Sequence, residues 1–275
     1  MIGQVNNIRF LDTCIQNNKL PRFLLIRGDK GSGKKELVKY IAQKTNYELV
    51  FFGNSVEAVR NLINLCYQQT KPIIYVITDC EKLSTQAENA LLKVAEEPPT
   101  NAYIVLTVND DSLLPTIKSR GTLISMEEYT YSEKKKFATN VLNINNDLED
   151  KVQLCTTPGD LIDIANTDYT AISKFCDNIV SNISKANVGS ALKITKKLKL
   201  KEKDNEDTEL FDLQIFIKVL LYKYEQKCFE QADYTKYLYF FNCWNCVFNA
   251  KKQLQKNLNK QYIIDDMVLK LREVN

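Results

Sequence analysis

Five short apolar runs within the first 126 residues limit this chain's fold more than any other feature. They are RFLLIRG (Arg22–Gly28), ELVFFG (Glu48–Gly53), KPIIYVITD (Lys71–Asp79), AYIVLTVN (Ala102–Asn109) and GTLISM (Gly121–Met126). Each is too short for a buried helix. Near-continuous apolar character, without polar alternation, marks strands buried on both faces. Helical patterns separate the runs: KKELVKYIAQKT, SVEAVRNLINLCYQQT and STQAENALLKVAEE, the last capped by Ser84 and stopped by Pro98 and Pro99. Strand-then-helix repetition predicts an α/β domain over residues 1–126, a parallel sheet covered by helices on both faces.

After Met126 the strand pattern stops. YSEKKKFATNVL, DLEDKVQLC and PGDLIDIAN read as three short helices, a small all-α unit over 127–168. Longer helices are expected near 169–185, 188–199, 210–230, 234–257 and 260–273, forming a third, helical domain over 169–275. The charged stretch KEKDNEDTE (Lys201–Glu209) reads as a solvated connector. Two apolar stripes stand at helical spacing: Leu213, Phe216, Ile217, Leu220 and Leu221, then Tyr237, Phe240, Phe241, Trp244 and Phe248. Most of these are expected in the core.

The chain has 275 residues, 44% hydrophobic and 26% charged, in the range of globular proteins. It contains no histidine, which removes imidazole ligands and imidazole acid–base pairs. A net charge of +3 provides no global field for nucleic acid, and no aromatic–basic interleaving marks a strand-binding groove. MIGQVNNIRF lacks the basic-then-apolar pattern of a signal peptide. The most apolar stretch, Tyr237–Phe248, is too short and too interrupted by Asn to span a bilayer. A cytoplasmic protein without membrane contact is expected. Of eight cysteines, Cys243 and Cys246 form a lone C-x-x-C with no partner pair, so they read as helix core and no zinc is expected.

The first apolar run feeds GDKGSGKKE, which fits the phosphate-loop pattern G-x-x-x-x-G-K from Gly28 to Lys34. Glycines at 28, 31 and 33 let successive N–H groups turn inward, the helix start adds partial positive charge, and Lys34 would reach the β- and γ-phosphates. The pattern next demands Ser or Thr, whose hydroxyl ligates Mg²⁺, and the chain has Lys35. An ammonium has no lone pair and cannot replace that ligand. The third run ends at Asp79, placed to hold Mg²⁺ through water. Hydrolysing relatives place a water-polarising Glu directly after that Asp. Here Cys80 follows, and Glu81, one residue later, is expected to point elsewhere.

The stretch from Leu83 to Gly121 resembles the clamp-loader branch of the AAA+ proteins, most closely its delta-prime subunits. NALLKVAEEPP (Asn89–Pro99) and LLPTIKSRG (Leu113–Gly121) carry the likeness, with IGQVNNIRFL at the N-terminus. It is strong over 1–126, weaker to about 168 and architectural beyond. The resemblance implies a RecA-like domain, a helical lid and a helical collar. It implies gamma/tau and delta subunits as partners, with the sliding clamp and primed DNA reached through the assembly, and ATP with Mg²⁺ bound by neighbours rather than required here. It also implies that Arg120, supported by Ser119, is presented to a neighbour's ATP site. Lys35, Cys80 and Asp160 depart from the ATP-hydrolysing subunits, which favours a subunit that is no ATPase by itself. Gly121 replaces the usual Cys and is expected to matter little. The alternatives are an active gamma/tau-like ATPase that tolerates Lys35, and a free-standing nucleic-acid-binding module.

Overall fold

In this computed structural model, residues 2–109, 113, 115–199, 211–254, 256 and 258–274 are described. The chain opens with helix α1 (Val5–Gln16), followed by β1 (Phe23–Arg27), α2 (Lys34–Thr45), β2 (Glu48–Phe52), α3 (Val56–Gln68), β3 (Ile73–Ile77), α4 (Thr85–Glu96), β4 (Ala102–Val108), α5 (Pro115–Lys118) and β5 (Thr122–Ser125). All five predicted strands form. They make one parallel sheet in the order β2-β3-β4-β1-β5.

Alternation along the strands divides the apolar core between the two faces. Phe23, Leu25, Tyr75, Ile77, Ile104 and Leu106 pack with Val59 and Leu62 of α3 and Leu91 and Val94 of α4. Leu24, Ile26, Ile74, Val76 and Val105 pack with Leu11 of α1 and Leu37, Val38 and Ile41 of α2. Both faces are covered, so the strands carry no polar alternation. Ser55 and Ser84 cap α3 and α4 by accepting hydrogen bonds from the N–H groups of Ala58 and Ala87. Strand order reverses around β1, so the carboxyl ends of β1, β3 and β4 converge where such sheets form sites.

The chain continues with α6 (Tyr131–Asn140), α7 (Leu148–Leu154), α8 (Pro158–Ala165), α9 (Tyr169–Asn182), α10 (Val188–Thr195), the short strands β6 (Leu198–Lys199) and β7 (Phe211–Asp212), α11 (Leu213–Phe229), α12 (Tyr234–Leu254) and α13 (Lys260–Glu273). One departure from expectation stands out. The helix expected over 188–199 ends at Thr195. Leu198, buried, pairs in parallel with Phe211 instead, and the Phe211 ring packs 5.1 Å from that of Phe175. The connector Lys201–Glu209 lies outside the described residues. One compact unit is Met1–Asn143 with Cys155–Leu161; the other is Ile144–Leu154 with Ile162–Asn275. Within the second unit, the Tyr222 hydroxyl reaches Asp150 at 3.0 Å and Gln153 at 2.8 Å, tying α7 to α11.

Candidate functional site: a filled phosphate loop and a tethered arginine

Gly31 and Gly33 of the loop after β1 have φ of +82° and +88°, conformations that disfavour any side chain. Gly28 is required for a different reason. A Cβ there would stand 2.6 Å from Cβ of Met126, just past β5. Gly33 then starts α2 without a side-chain cap.

Lys34 is buried, and its ammonium is turned onto its own loop. It donates to the carbonyl oxygens of Gly28 and Asp29, the latter at 2.9 Å, and to Oδ1 of Asn109 at 2.8 Å. Burial lowers its pKa from the usual lysine value, opposed by the charges of Glu81, Asp79 and Asp29. The other loop carbonyls are also engaged. Lys30 O accepts from the Thr157 hydroxyl at 3.3 Å, Gly31 O from Gly159 N–H at 3.0 Å, and Ser32 O from the Tyr129 hydroxyl at 2.7 Å. Gly159 lies so close to the loop apex that a Cβ on it would stand 2.5 Å from Gly31 Cα. Asp160 accepts from the N–H groups of Thr156 and Thr157, and Thr157 Oγ1 accepts from Asp160 N–H, a reciprocal cap that holds this segment on the loop. Asp160 thus acts as a helix-start residue.

Asn109, at the carboxyl end of β4, was not singled out by the sequence. Its amide bridges Lys34 to Glu81: its N–H and Nδ2 both donate to the Glu81 carboxylate. The usable signal was a polar residue closing an apolar strand that adjoins β1. Glu81 also corrects an expectation. The one-residue shift does not turn it away, because a single 3-10 turn at Cys80–Lys82 brings its carboxylate back toward the loop. Cys80 occupies the position of the water-polarising Glu and is fully buried, its thiol on Ile77 O at 3.3 Å. Asp79, at φ +54°, pairs with Lys82 at 3.3 Å. Lys35 is exposed. This donor set does not fit Mg²⁺–nucleotide: no hydroxyl follows Lys34, and the ammonium already has three acceptors.

A cavity of about 420 Å³ adjoins the loop, lined by Asp29, Ser32, Met126, Glu127, Tyr129 and Thr157 among others. Its three acidic residues, Asp29, Glu127 and Glu128, outnumber its one lysine, Lys134, a balance unfavourable to a phosphate chain.

Arg120 follows α5. Its guanidinium donates to Glu96 Oε1 from Nε (3.0 Å) and NH2 (2.6 Å), and from NH1 to Thr116 O at 2.6 Å. Ser119 accepts a fourth contact, NH1 to Oγ at 3.3 Å, and itself donates to Thr116 O. Glu96 belongs to the EEPP segment, so the two most recognisable motifs of the sequence meet in one ion pair.

Gly121 matters more than the sequence suggested. A Cβ on it would stand 2.6 Å from Leu25 Cγ and 3.1 Å from the Phe23 ring. Because the Leu25 branch point cannot swing away like a flexible tip, Gly121→Cys is expected to destabilise the first unit by about 1–3 kcal/mol. Denaturant unfolding checks this.

Cys243 is buried and Cys246 half-buried, and all eight cysteines are free thiols. Among the described residues, no group of three or more metal-ligating side chains could hold an ion, and no helix is long and apolar enough to cross a membrane.

A family model described as "DNA polymerase III, delta subunit" matches residues 53–130. DNA polymerase III subunit gamma of Buchnera aphidicola is 26% identical over 152 residues, covering 44% of this chain and 42% of that protein. The gamma/tau subunit of Mycoplasma genitalium is 23% identical over 197 residues, covering 60% and 32%. These matches make the chain similar to subunits of DNA polymerase III. The chain spans less than half the length of these two relatives. In fold it is similar to a gamma subunit-related protein of Thermotoga maritima, with TM-score 0.58, 16% identity, and coverage of 96% of this chain and 99% of that one. The likeness covers the parallel sheet and the helical C-terminal region alike.

Proposed function

We propose that this chain is a non-hydrolysing, delta-prime-type subunit of the bacterial clamp loader. It works in the cytoplasm with gamma/tau and delta subunits and reaches the sliding clamp and primed DNA through the assembly. Its neighbours bind ATP and Mg²⁺, and it requires no cofactor of its own. Arg120, supported by Ser119, serves in trans at a neighbour's γ-phosphate. The observation that carries the loss of hydrolysis is the filled loop. Lys34 is spent on loop carbonyls and Asn109, the 157–159 segment sits on the loop apex, and a core thiol stands at the catalytic Glu position.

An active gamma/tau-like ATPase is the second reading. It is favoured by the Glu81 carboxylate turned toward the loop and by the names of the curated relatives. Steady-state ATPase assays on the purified chain, with and without primed DNA, separate the two. Turnover well below ~1 s⁻¹, the floor of ordinary enzymes, is expected. A rate at or above that floor that falls with Glu81→Gln would establish the second reading.

A further inference from the structure

Helix α12 carries one uncharged run, from Tyr237 to Ala250, between Lys236 and Lys251. One side of that run is covered: Cys243, Val247 and Ala250 are buried. The other side presents a ladder of aromatic rings. Tyr234 stacks on Tyr237 (6.4 Å, 16°), Tyr237 on Phe241 (5.9 Å, 9°), Phe241 on Trp244 (6.4 Å, 6°) and Trp244 on Phe248 (4.7 Å, 17°). Lys252 closes the ladder with its ammonium 4.4 Å from the Phe248 ring centre. Tyr234, Tyr237 and Phe241 are 72%, 37% and 40% exposed, while Trp244 and Phe248 are half-buried.

The spacing of the ladder is three, four, three, four. Tyr234, Phe241 and Phe248 lie seven apart, as do Tyr237 and Trp244. That repeat, 3.5 residues per turn, is the seam by which two helices pack along their length. Charge depletion with aromatic enrichment is the composition of an interface centre.

We propose that α12 pairs antiparallel with α12 of a second copy of this chain. The ends of the seam decide the partner and its direction. Asp233 stands at the Tyr234 end, with Glu230 already paired to Lys227 at 2.6 Å and Lys236 beside it, whereas Lys251, Lys252 and Lys256 stand at the Phe248 end. A parallel copy would set the three lysines of the Phe248 end against their own copies, which an interface avoids. An antiparallel copy, with its twofold axis midway between Asn242 and Cys243, sets Phe241 against the second Trp244 and Tyr237 against the second Phe248. Lys252 then faces the second Asp233, nineteen residues away and about 28 Å along the helix at 1.5 Å per residue. The inference does not rest on the clamp-loader reading, whose tests are enzymatic.

Sedimentation velocity on the full chain tests it, together with the emission of Trp244, the sole tryptophan. The seam is short, so self-association is expected over about 1–200 µM, the range of small interfaces. The mass should double from 31.7 kDa and Trp244 emission should move to shorter wavelength over the same range. Asp233→Lys and Lys252→Asp should each weaken the dimer about tenfold, as close interfacial charge pairs do, and the double swap should restore it. Phe241→Arg should leave the helical circular dichroism intact and the chain monomeric. A monomer at every concentration, a dimer indifferent to Phe241→Arg, a double swap that does not rescue, or association only with a different subunit would each overturn the proposal.

Discussion

Arg120→Ala in an assembled clamp loader is expected to cut hydrolysis at the one ATP site facing this subunit by about 10³–10⁵, the usual worth of an arginine finger. Several sites hydrolyse, so total ATPase should fall only in part, whereas clamp loading, which needs the sites in concert, should fall much further. The structure adds a sharper control. In the free chain the guanidinium is tied to Glu96 and to Thr116 O. If Arg120 served only that pair, Glu96→Gln would reproduce Arg120→Ala, and both would do little, because a partly exposed ion pair is worth about 0–1 kcal/mol. If it is a finger, Glu96→Gln frees it and loading persists, while Arg120→Ala abolishes loading in a complex that still assembles. Arg120→Lys should rescue poorly, because an ammonium lacks the planar fork that meets two phosphate oxygens. Loading rates of the three variants in reconstituted complexes decide the matter. Unchanged loading by the alanine variant would leave Arg120 a structural residue.

The sheet was legible because its signal is local. A strand buried on both faces must be apolar throughout, and all five such runs became strands with ends displaced by no more than two residues. The helical half was legible as helices but not as packing. The first apolar stripe of the collar region is entirely buried, while Tyr237 and Phe241 of the second are exposed, and hydrophobicity alone does not separate the two. At the site, residue identity foretold which groups are missing: the hydroxyl after Lys34 and the Glu after Asp79. It did not foretell how the remaining groups satisfy one another. Asn109 is 75 residues away from Lys34 in sequence and adjacent only because β4 lies beside β1. The covering of the loop by Gly159 is likewise a product of tertiary packing, and no spacing rule encodes it. Glu81 was misjudged because a strand-based argument was applied to a residue that sits in a 3-10 turn.

Lys34→Ala should be mainly a stability mutation, and this separates a filled loop from a nucleotide-binding one. In a loop that waits for phosphate, removing the lysine abolishes binding and leaves the nucleotide-free fold nearly unchanged. Here the ammonium satisfies Gly28 O, Asp29 O and Asn109 Oδ1, and it lies among the charges of Glu81, Asp79 and Asp29. Alanine would strand these part-buried acceptors and remove the ammonium from beside Glu81 and Asp29, while Asp79 keeps Lys82. Charge-assisted hydrogen bonds are worth about 1.5–3 kcal/mol each, but they are not additive, so a net loss of about 2–4 kcal/mol is expected. For a unit of this size, that lowers the melting temperature by about 5–15 °C. Lys34→Met, which keeps the apolar stem, should recover only a minor part, since the lost contacts are polar. Wild-type melting should be indifferent to ATP, because a ligand that binds only the folded state must raise it by mass action. Thermal melts of the wild type and both variants, with and without ATP and Mg²⁺, make the comparison. A wild type stabilised by nucleotide, with an alanine variant that melts like the nucleotide-free wild type, would show that the loop is a binding site and that its present bonds are only those it makes while waiting.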